Sequence, residues 1–213
     1  MKKCKYVITI TRQFGSLGRP IAKALAEKLD IEFYDRDIVD QAAKKLNLPA
    51  SVIKEEEEKL KTPVKSSRGA AGNIWMRMAF PLGNGSSDMQ DNIFEAQENI
   101  IRFLAERETC IIVGRCSDFI LSEMENVFHV YIYAPYEDRV KNSVETLGMT
   151  EEEARRTIRS VDEAREAFHK HYAGYSQSDP LHKDLMINSS SLGVEKTAEL
   201  LAQVIRLRFG EES

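Results

Sequence analysis

The chain has 213 residues, of which 42% are hydrophobic and 30% charged, a composition typical of one soluble globular domain. Its 30 Lys and Arg residues against 34 Asp and Glu leave a formal charge of −4, which argues against a nucleic-acid or general polyanion binder. With no apolar run long enough to span a bilayer, no signal-peptide pattern and only 3 cysteines, we expect a cytoplasmic protein without membrane contact.

The predicted elements alternate between strands and helices. Short apolar segments typical of buried strands are Tyr6–Thr11, Glu32–Tyr34, Cys110–Val113, Val127–Tyr133 and Asp184–Asn188. Helical patterns follow at Pro20–Leu29, Asp88–Glu106, Thr150–Tyr172 and Val194–Phe209, and the third of these opens with a capping box. The alternation predicts an α/β fold built on a parallel sheet.

The stretch 54–85 interrupts this rhythm. It begins with an acidic run and continues as a polar segment rich in Gly, Ser and Pro. We interpret it as a mobile insert or flap beside the sheet, in which the acidic run is a solvated helix face.

The strongest motif joins the first predicted strand to the first helix, in the sequence RQFGSLGRP. A glycine-rich turn at this place points backbone N–H groups at one spot, and the helix N-terminus adds partial positive charge, so an anion binds readily. Gly15 and Gly18 would let a ligand approach closely, while Arg12 and Arg19 supply cations. The predicted phosphate cradle comprises Arg12, Gln13, Phe14, Gly15, Ser16, Leu17, Gly18, Arg19 and Pro20.

This turn departs from the Walker A pattern G-x-x-x-x-G-K-[ST]. Gln13 occupies the first glycine position and Arg19 replaces the lysine. Pro20 replaces the Ser or Thr whose hydroxyl would touch Mg²⁺. An ordinary glycine turn, with Pro20 as the first helical residue, remains an open alternative.

Two carboxylates follow the second predicted strand. Asp35 and Asp37 stand where the carboxyl end of a parallel strand meets the ligand crevice of an open sheet. They would hold Mg²⁺ or a sugar hydroxyl, and Asp35 is the preferred metal contact. The alternative is that one of them caps a helix that starts at Arg36.

Four stretches of the sequence, at 8–43, 110–121, 127–140 and 161–201, resemble the cytidylate-kinase-like family of P-loop proteins, which is related to the nucleoside monophosphate kinases. The first reads ITITRQFGSLGRPIAKALAEKLDIEFYDRDIVDQAA, and the second contains the strand-then-Gly-Arg motif CIIVGRC. The resemblance covers most of the chain. It implies a single P-loop kinase-like domain of three layers, with a five-stranded parallel sheet flanked by helices and a mobile lid at about 148–178.

The resemblance also implies roles for residues near the sheet edge. Gly114 and Arg115 would contact the phosphate of the acceptor nucleotide, since a guanidinium binds phosphate through two parallel hydrogen bonds. The alternative for Arg115 is an ordinary surface arginine. The pair Asp162-x-x-Arg165 resembles the motif that binds the acceptor base and phosphate.

The predicted helix Thr150–Tyr172 carries a cationic face. At 100° per residue, one sector of about 120° contains Arg155, Arg159, Asp162, Arg165 and His169. Arg156 and Arg159 resemble lid arginines, which would neutralise charge during phosphoryl transfer. The alternative is a solvated helix with ion pairs three and four residues apart.

We therefore expect a kinase that uses ATP and Mg²⁺ to phosphorylate a nucleoside monophosphate, most plausibly CMP or dCMP, and acts as a monomer or homodimer. Its catalytic residues would be Arg19, Asp35, Arg156 and Arg159. Pro20 motivates a rival, a nucleotide- or phosphate-binding module without turnover. The run FYDRD, similar to the acidic motif of shikimate kinases, motivates a kinase for another small acceptor.

Overall fold

A computed structural model describes residues 5–35 and 87–210. Asp37 and the predicted insert at 54–85 lie outside these residues. The described part contains one five-stranded sheet in the order β2-β3-β1-β4-β5, in which every neighbouring pair is parallel. The strands are β1 Val7–Arg12, β2 Glu32–Tyr34, β3 Cys110–Val113, β4 Val127–Tyr133 and β5 Leu185–Asn188. The predicted α/β class and parallel sheet are confirmed.

Helices flank the sheet as predicted, and each predicted helix is confirmed to within two residues at either end. The helices of the described residues are α1 Gly18–Leu29, α2 Ser87–Arg107, α3 Ser117–Ile120, α4 Tyr136–Leu147, α5 Glu151–Ala173 and α6 Gly193–Phe209. Two of them, α3 and α4, were not expected. The prediction passed over α4, although its apolar residues Tyr136, Val140, Val144 and Leu147 recur at helical spacing; its buried positions are Arg139, Val140 and Ser143.

The first helix begins earlier than predicted. It starts at Gly18 after Leu17, which adopts a left-handed φ of 57°. Pro20 is therefore the third helical residue, and the expectation that it opens the helix is wrong. The proline is tolerated there because the N–H groups of the first turn have no partner within the helix.

Alternate side chains of the central strand β1 pack into two hydrophobic cores, one on each face of the sheet. Ile8 and Ile10 pack on one face of the sheet with apolar side chains of α1 and α6. Val7 faces the other side and packs with side chains of α2 and α3. Because both faces are covered, β1 is buried along nearly its whole length, and its carboxyl end is held rigidly at one edge of the sheet.

The capping box predicted for the helix that carries the arginines is confirmed. The Thr150 hydroxyl accepts a hydrogen bond from the Glu153 N–H, and the Glu153 carboxylate accepts one from the Thr150 N–H. Among the described helices, none has both the length and the apolar character that crossing a bilayer requires.

Replacing Leu201, which is fully buried between α6 and the sheet, should destabilise the fold. We expect Leu201→Ala to lower the free energy of unfolding by about 2–5 kcal/mol, because it removes buried methyl groups and leaves a cavity. Leu207 lies on the same helix with 85% of its surface exposed, so Leu207→Ala should change stability by less than about 0.5 kcal/mol. Urea unfolding followed by circular dichroism measures both, and equal effects would contradict this assignment of the core.

Candidate functional site

The segment 13–17, which we call the β1–α1 loop, is fastened to the end of β4 and to the segment after β5. The Gln13 N–H donates to the Ile132 carbonyl (3.1 Å), and the Gln13 side-chain oxygen accepts from the Ala134 N–H (3.2 Å). The Ser189 hydroxyl donates to the Ser16 carbonyl (2.7 Å). Gln13, which stands at the first glycine position of the motif, therefore attaches the loop to the end of β4.

Side chains from α4 and α5 hold the β1–α1 loop from the other side. Asn142 donates to the Gly15 carbonyl (2.9 Å), and the Phe14 N–H donates to Asp162 Oδ1 (2.8 Å). Arg139 forms an ion pair with Asp162 and donates to the Phe14 carbonyl (3.4 Å). Asp162, which the resemblance assigns to the acceptor, thus has both oxygens engaged by the loop and by α4.

The two glycines of the loop region are required by packing within the protein. Gly15 has a φ of +74°, and a Cβ there would lie 2.6 Å from the carbonyl oxygen of Arg139. A Cβ on Gly18 would lie 2.7 Å from the Cβ of Arg12. The close approach that we expected from a ligand is therefore made by the protein's own atoms, and it sets the shape of the loop.

An unsatisfied group of backbone donors remains at the start of α1. Within the described residues, the N–H groups of Gly15, Leu17, Gly18 and Arg19 donate to no protein acceptor. Leu17 makes no side-chain cap, so the partial positive charge of the helix N-terminus is not offset there. This arrangement can accept an anion such as phosphate.

Asp35 is buried and is paired with two arginines of the predicted cradle. Its Oδ2 lies 2.6 Å from Arg19 Nε, and its Oδ1 lies 3.5 Å from Arg12 Nη2. The carboxylate therefore orients the guanidinium groups beside the loop.

The metal role expected of Asp35 is not matched by the donor set around it. Both of its oxygens face guanidinium groups, and Pro20 offers no hydroxyl. In 5–35 and 87–210, no three His, Cys, Asp or Glu side chains come together as a metal site. The described residues thus do not fit a resident Mg²⁺ ion, and a divalent ion that arrives with a nucleotide would be held by phosphates and water.

Arg165 adds a further cation to this edge of the sheet. Its Nη1 donates to the Arg12 carbonyl (3.0 Å), and its guanidinium lies 6.0 Å from the centre of the Phe14 ring. Burial and the nearby charge of Arg12 lower the pKa of Arg165 to about 9, although Asp162 and Asp35 oppose the shift. An anion bound between the two arginines would relieve their repulsion.

The predicted Gly-Arg motif forms a strained turn at the end of β3. Gly114, Arg115 and Cys116 have consecutive positive φ angles of 77°, 60° and 52°. The Gly114 N–H donates to the Ile10 carbonyl (3.0 Å), which brings the turn beside the end of β1. Positive φ at two residues other than glycine is unfavourable by itself and is found disproportionately at functional sites.

The structure divides the cationic face predicted for α5. Arg155 donates two hydrogen bonds to the Glu137 carboxylate (2.9 and 2.7 Å) and so joins α5 to α4. Arg156 and Arg159 are exposed on the same helix. His169 lies on the same side of α5 as Arg165, one turn further along, and its side chain is buried, so this end of the predicted face packs inside the protein.

Sequence reasoning missed Arg139 and Asn142, both on α4. The signal that would have found them is their position, since α4 follows directly from the carboxyl end of β4 after Pro135. Two polar residues three apart on such a helix, Arg139 buried and Asn142 half-buried, face the same crevice as the β1–α1 loop.

Gly15→Ala should distort the β1–α1 loop. The added methyl group would meet the backbone of Arg139 in a left-handed conformation, so we expect a loss of about 1–3 kcal/mol in the free energy of unfolding. Gly148 has a similar φ of +65° with no atom within 4 Å of its Cβ position, so Gly148→Ala isolates the cost of the backbone angle. Thermal denaturation compares the two, and a smaller loss for Gly15→Ala would contradict the packing role.

Comparison with solved structures places the fold among known proteins. An uncharacterised protein from Eubacterium ventriosum is 24% identical, with a TM-score of 0.69 over 94% of this chain and 98% of that one. Shikimate kinase from Acinetobacter baumannii in complex with shikimate is 13% identical, with a TM-score of 0.51 over 97% and 96% of the two chains. Shikimate kinase from Bacteroides thetaiotaomicron is 16% identical, with a TM-score of 0.50 over 96% and 98%. At these identities the likeness concerns the fold alone.

A search of curated proteins finds no match to this chain. The cytidylate kinase-like family matches residues 7–191, which include the β1–α1 loop, the strained turn after β3 and α5. This chain therefore belongs to the cytidylate kinase-like family.

Proposed function

We propose that this protein is a kinase that transfers the γ-phosphoryl group of ATP, delivered as its Mg²⁺ complex, to a small phosphorylated acceptor, with CMP and dCMP as the first candidates. The observation that carries the proposal is a surplus of positive charge beside the open amides of the β1–α1 loop. Four guanidinium groups lie there together with only two carboxylates. The arginines are Arg12, Arg19, Arg139 and Arg165, and the carboxylates belong to Asp35 and Asp162.

The donor phosphates would bind at the start of α1. The free N–H groups of the loop and helix offer hydrogen bonds to phosphate oxygens, and Arg19 adds a charge directly beside them. Asp35 limits the positions that the Arg19 side chain can take, because it holds Nε. Arg156 and Arg159 are exposed on α5 and would approach the transferring group once the nucleotide is bound.

The acceptor would bind between the turn after β3 and α5. Arg115 follows the strand next to β1, and Arg165 reaches the last residue of β1. Two guanidinium groups that approach from different elements would orient a phosphorylated acceptor in line with the donor. We assign Asp162 to holding Phe14 and Arg139 in place, while Asp37 stays a prediction from the sequence.

A phosphate-binding protein without turnover is the second candidate. The observation that favours it is the pairing of Asp35 with Arg12 and Arg19, together with the missing hydroxyl at Pro20. A kinase for another acceptor is the third candidate, which rests on the run FYDRD. The shikimate kinases of the same fold make shikimate a sensible member of the acceptor panel.

Arg19→Ala should abolish most of the transfer. We expect kcat/KM to fall by about 100-fold or more, because a guanidinium that stabilises charge on the transferring group is lost. Lys23→Ala is the matched control, since Lys23 is an exposed cation on the same helix, paired only loosely with Glu27 (3.9 Å), and should stay within about twofold of the wild type.

The measurement is acceptor-dependent ADP formation with CMP, dCMP, UMP, AMP, shikimate and no acceptor. If one acceptor is turned over by the wild type and not by Arg19→Ala, the proposed kinase activity is supported and its substrate is identified. ATP binding at micromolar concentration without turnover on any acceptor favours the binding protein instead.

Arg165→Lys should weaken the acceptor more than the donor. Lysine keeps the positive charge but loses the planar, bidentate geometry, so we expect the acceptor KM to rise by about 10-fold or more. Steady-state kinetics with each substrate varied in turn separates the two KM values. Arg102→Lys, on the exposed face of α2, serves as the control. An equal rise of both KM values in Arg165→Lys would contradict the assignment of Arg165 to the acceptor site.

A further inference from the structure

Asp118, His169 and Lys183 form a buried polar cluster that the proposed transfer does not use directly. Their side chains are 1%, 4% and 0% exposed. His169 Nε2 lies 3.1 and 3.0 Å from the two oxygens of Asp118, and Lys183 Nζ donates to Oδ2 at 2.5 Å. Burial raises the pKa of Asp118, but hydrogen bonding to His169 and the charge of Lys183 outweigh it and lower the pKa to about 2. The carboxylate therefore stays ionised inside the protein.

The His169 ring bridges two oxygen acceptors. Its Nε2 faces the ionised Asp118 carboxylate, and its Nδ1 lies 3.0 Å from the Tyr175 carbonyl. The ring is thus fixed in orientation on both sides, and it fixes the rotation of α5 about its own axis.

Two of the three segments that meet at this cluster carry the arginines of the proposed acceptor site. Asp118 lies on α3, three residues after Arg115 and directly behind the strained turn. His169 lies one helical turn after Arg165 on α5, so the two residues share a side of the helix. The bond between Asp118 and His169 therefore links the turn that carries Arg115 to the helix that carries Arg165.

The third segment leads to the β1–α1 loop. Lys183 lies two residues before β5, and Ser189 directly follows that strand. Because Ser189 donates to the Ser16 carbonyl, a shift of β5 would also move the β1–α1 loop. The cluster therefore connects the turn after β3, the helix α5 and the segment that leads into β5.

The turn after β3 needs such a support. Arg115 and Cys116 are held at left-handed φ angles, a conformation that persists only where surrounding contacts impose it. The short helix α3 that follows is anchored by Asp118, one of its buried residues. Moving α3 would leave the buried Asp118 charge without its partners, which is strongly unfavourable, so the cluster holds α3 in place.

We propose that Asp118, His169 and Lys183 are positioning residues of the proposed kinase, which set the distance and orientation between Arg115 and Arg165. The inference rests on the proposed function and adds to it the residues that shape the acceptor site. The three side chains are too deeply buried to touch a substrate, so they act through the turn and the helix that they join.

The test compares His169→Ala, His169→Gln and His171→Ala. Since a 1 Å misplacement of orienting groups costs on the order of 100-fold in rate, we expect His169→Ala to raise the acceptor KM and lower kcat, by about 10-fold or more in their ratio. The ATP KM should change by less than about threefold, because His169→Ala leaves the Asp118–Lys183 pair, and with it the position of β5 beside the β1–α1 loop, in place. His169→Gln keeps an amide donor near the Nε2 position and should recover most of the loss. His171, exposed on the same helix, supplies the matched control.

Loss of stability alone must be separated from loss of position. Leu201→Ala destabilises the opposite face of the sheet without touching the cluster, so it should leave the acceptor KM unchanged at temperatures where the variant is folded. If Leu201→Ala reproduces the rise seen with His169→Ala, or if His169→Ala leaves the acceptor KM unchanged, the proposal is overturned.

Amide hydrogen exchange tests the cluster whether or not the protein proves to be a kinase. We expect His169→Ala to speed exchange at 114–118 and along the second half of α5, while β1 keeps its protection. His171→Ala should leave these rates at their wild-type values. Wild-type turnover that fails for every acceptor would refute the proposed function, and unchanged exchange at 114–118 in His169→Ala would refute the positioning cluster.

Discussion

The candidate site depends on the two contacts that the Asp162 carboxylate makes. It accepts the Phe14 N–H with one oxygen and binds Arg139 with the other, so a single side chain of α5 joins the β1–α1 loop to α4. The loop contains Gly15, which by itself has access to many backbone conformations, and the hydrogen bonds from Ser16 to Gln13 restrict only part of the loop. Selection comes from outside, through Asp162, Asn142, Gln13 and Ser189.

This external support has a consequence for electrostatics. The N–H groups of Gln13, Phe14 and Ser16 donate to protein acceptors, while those of Gly15, Leu17, Gly18 and Arg19 have none among the described residues. Four arginines converge on the same edge, and two carboxylates pair with them only in part. A chain with a net charge of −4 can therefore still carry a local surplus of positive charge, since local geometry and not total charge decides the potential.

Several features of the site were predictable from residue type and place in the sequence. Residue type and spacing identify the turn between the first strand and helix, its two glycines, and Arg12, Arg19, Asp35 and Arg165, and these residues meet at one edge of the sheet. Parallel strands make this possible, because their carboxyl ends necessarily share an edge. Gln13 was noted only as a departure from a motif, and its task of binding the end of β4 was not foreseen.

Sequence periodicity by itself determined the strands, the four predicted helices and the edge at which the candidate site lies, because burial of apolar side chains follows repeats of two and 3.6 residues. Tertiary structure decided what polar side chains do. Arg139 and Asn142 lie on a helix whose sequence gives no sign that they bind the β1–α1 loop, and His169 is buried although the predicted cationic face also contains the exposed Arg159. The physical reason is that a buried polar group is stabilised by a partner far away in the chain, such as Asp118 for His169, and no local pattern encodes that partner.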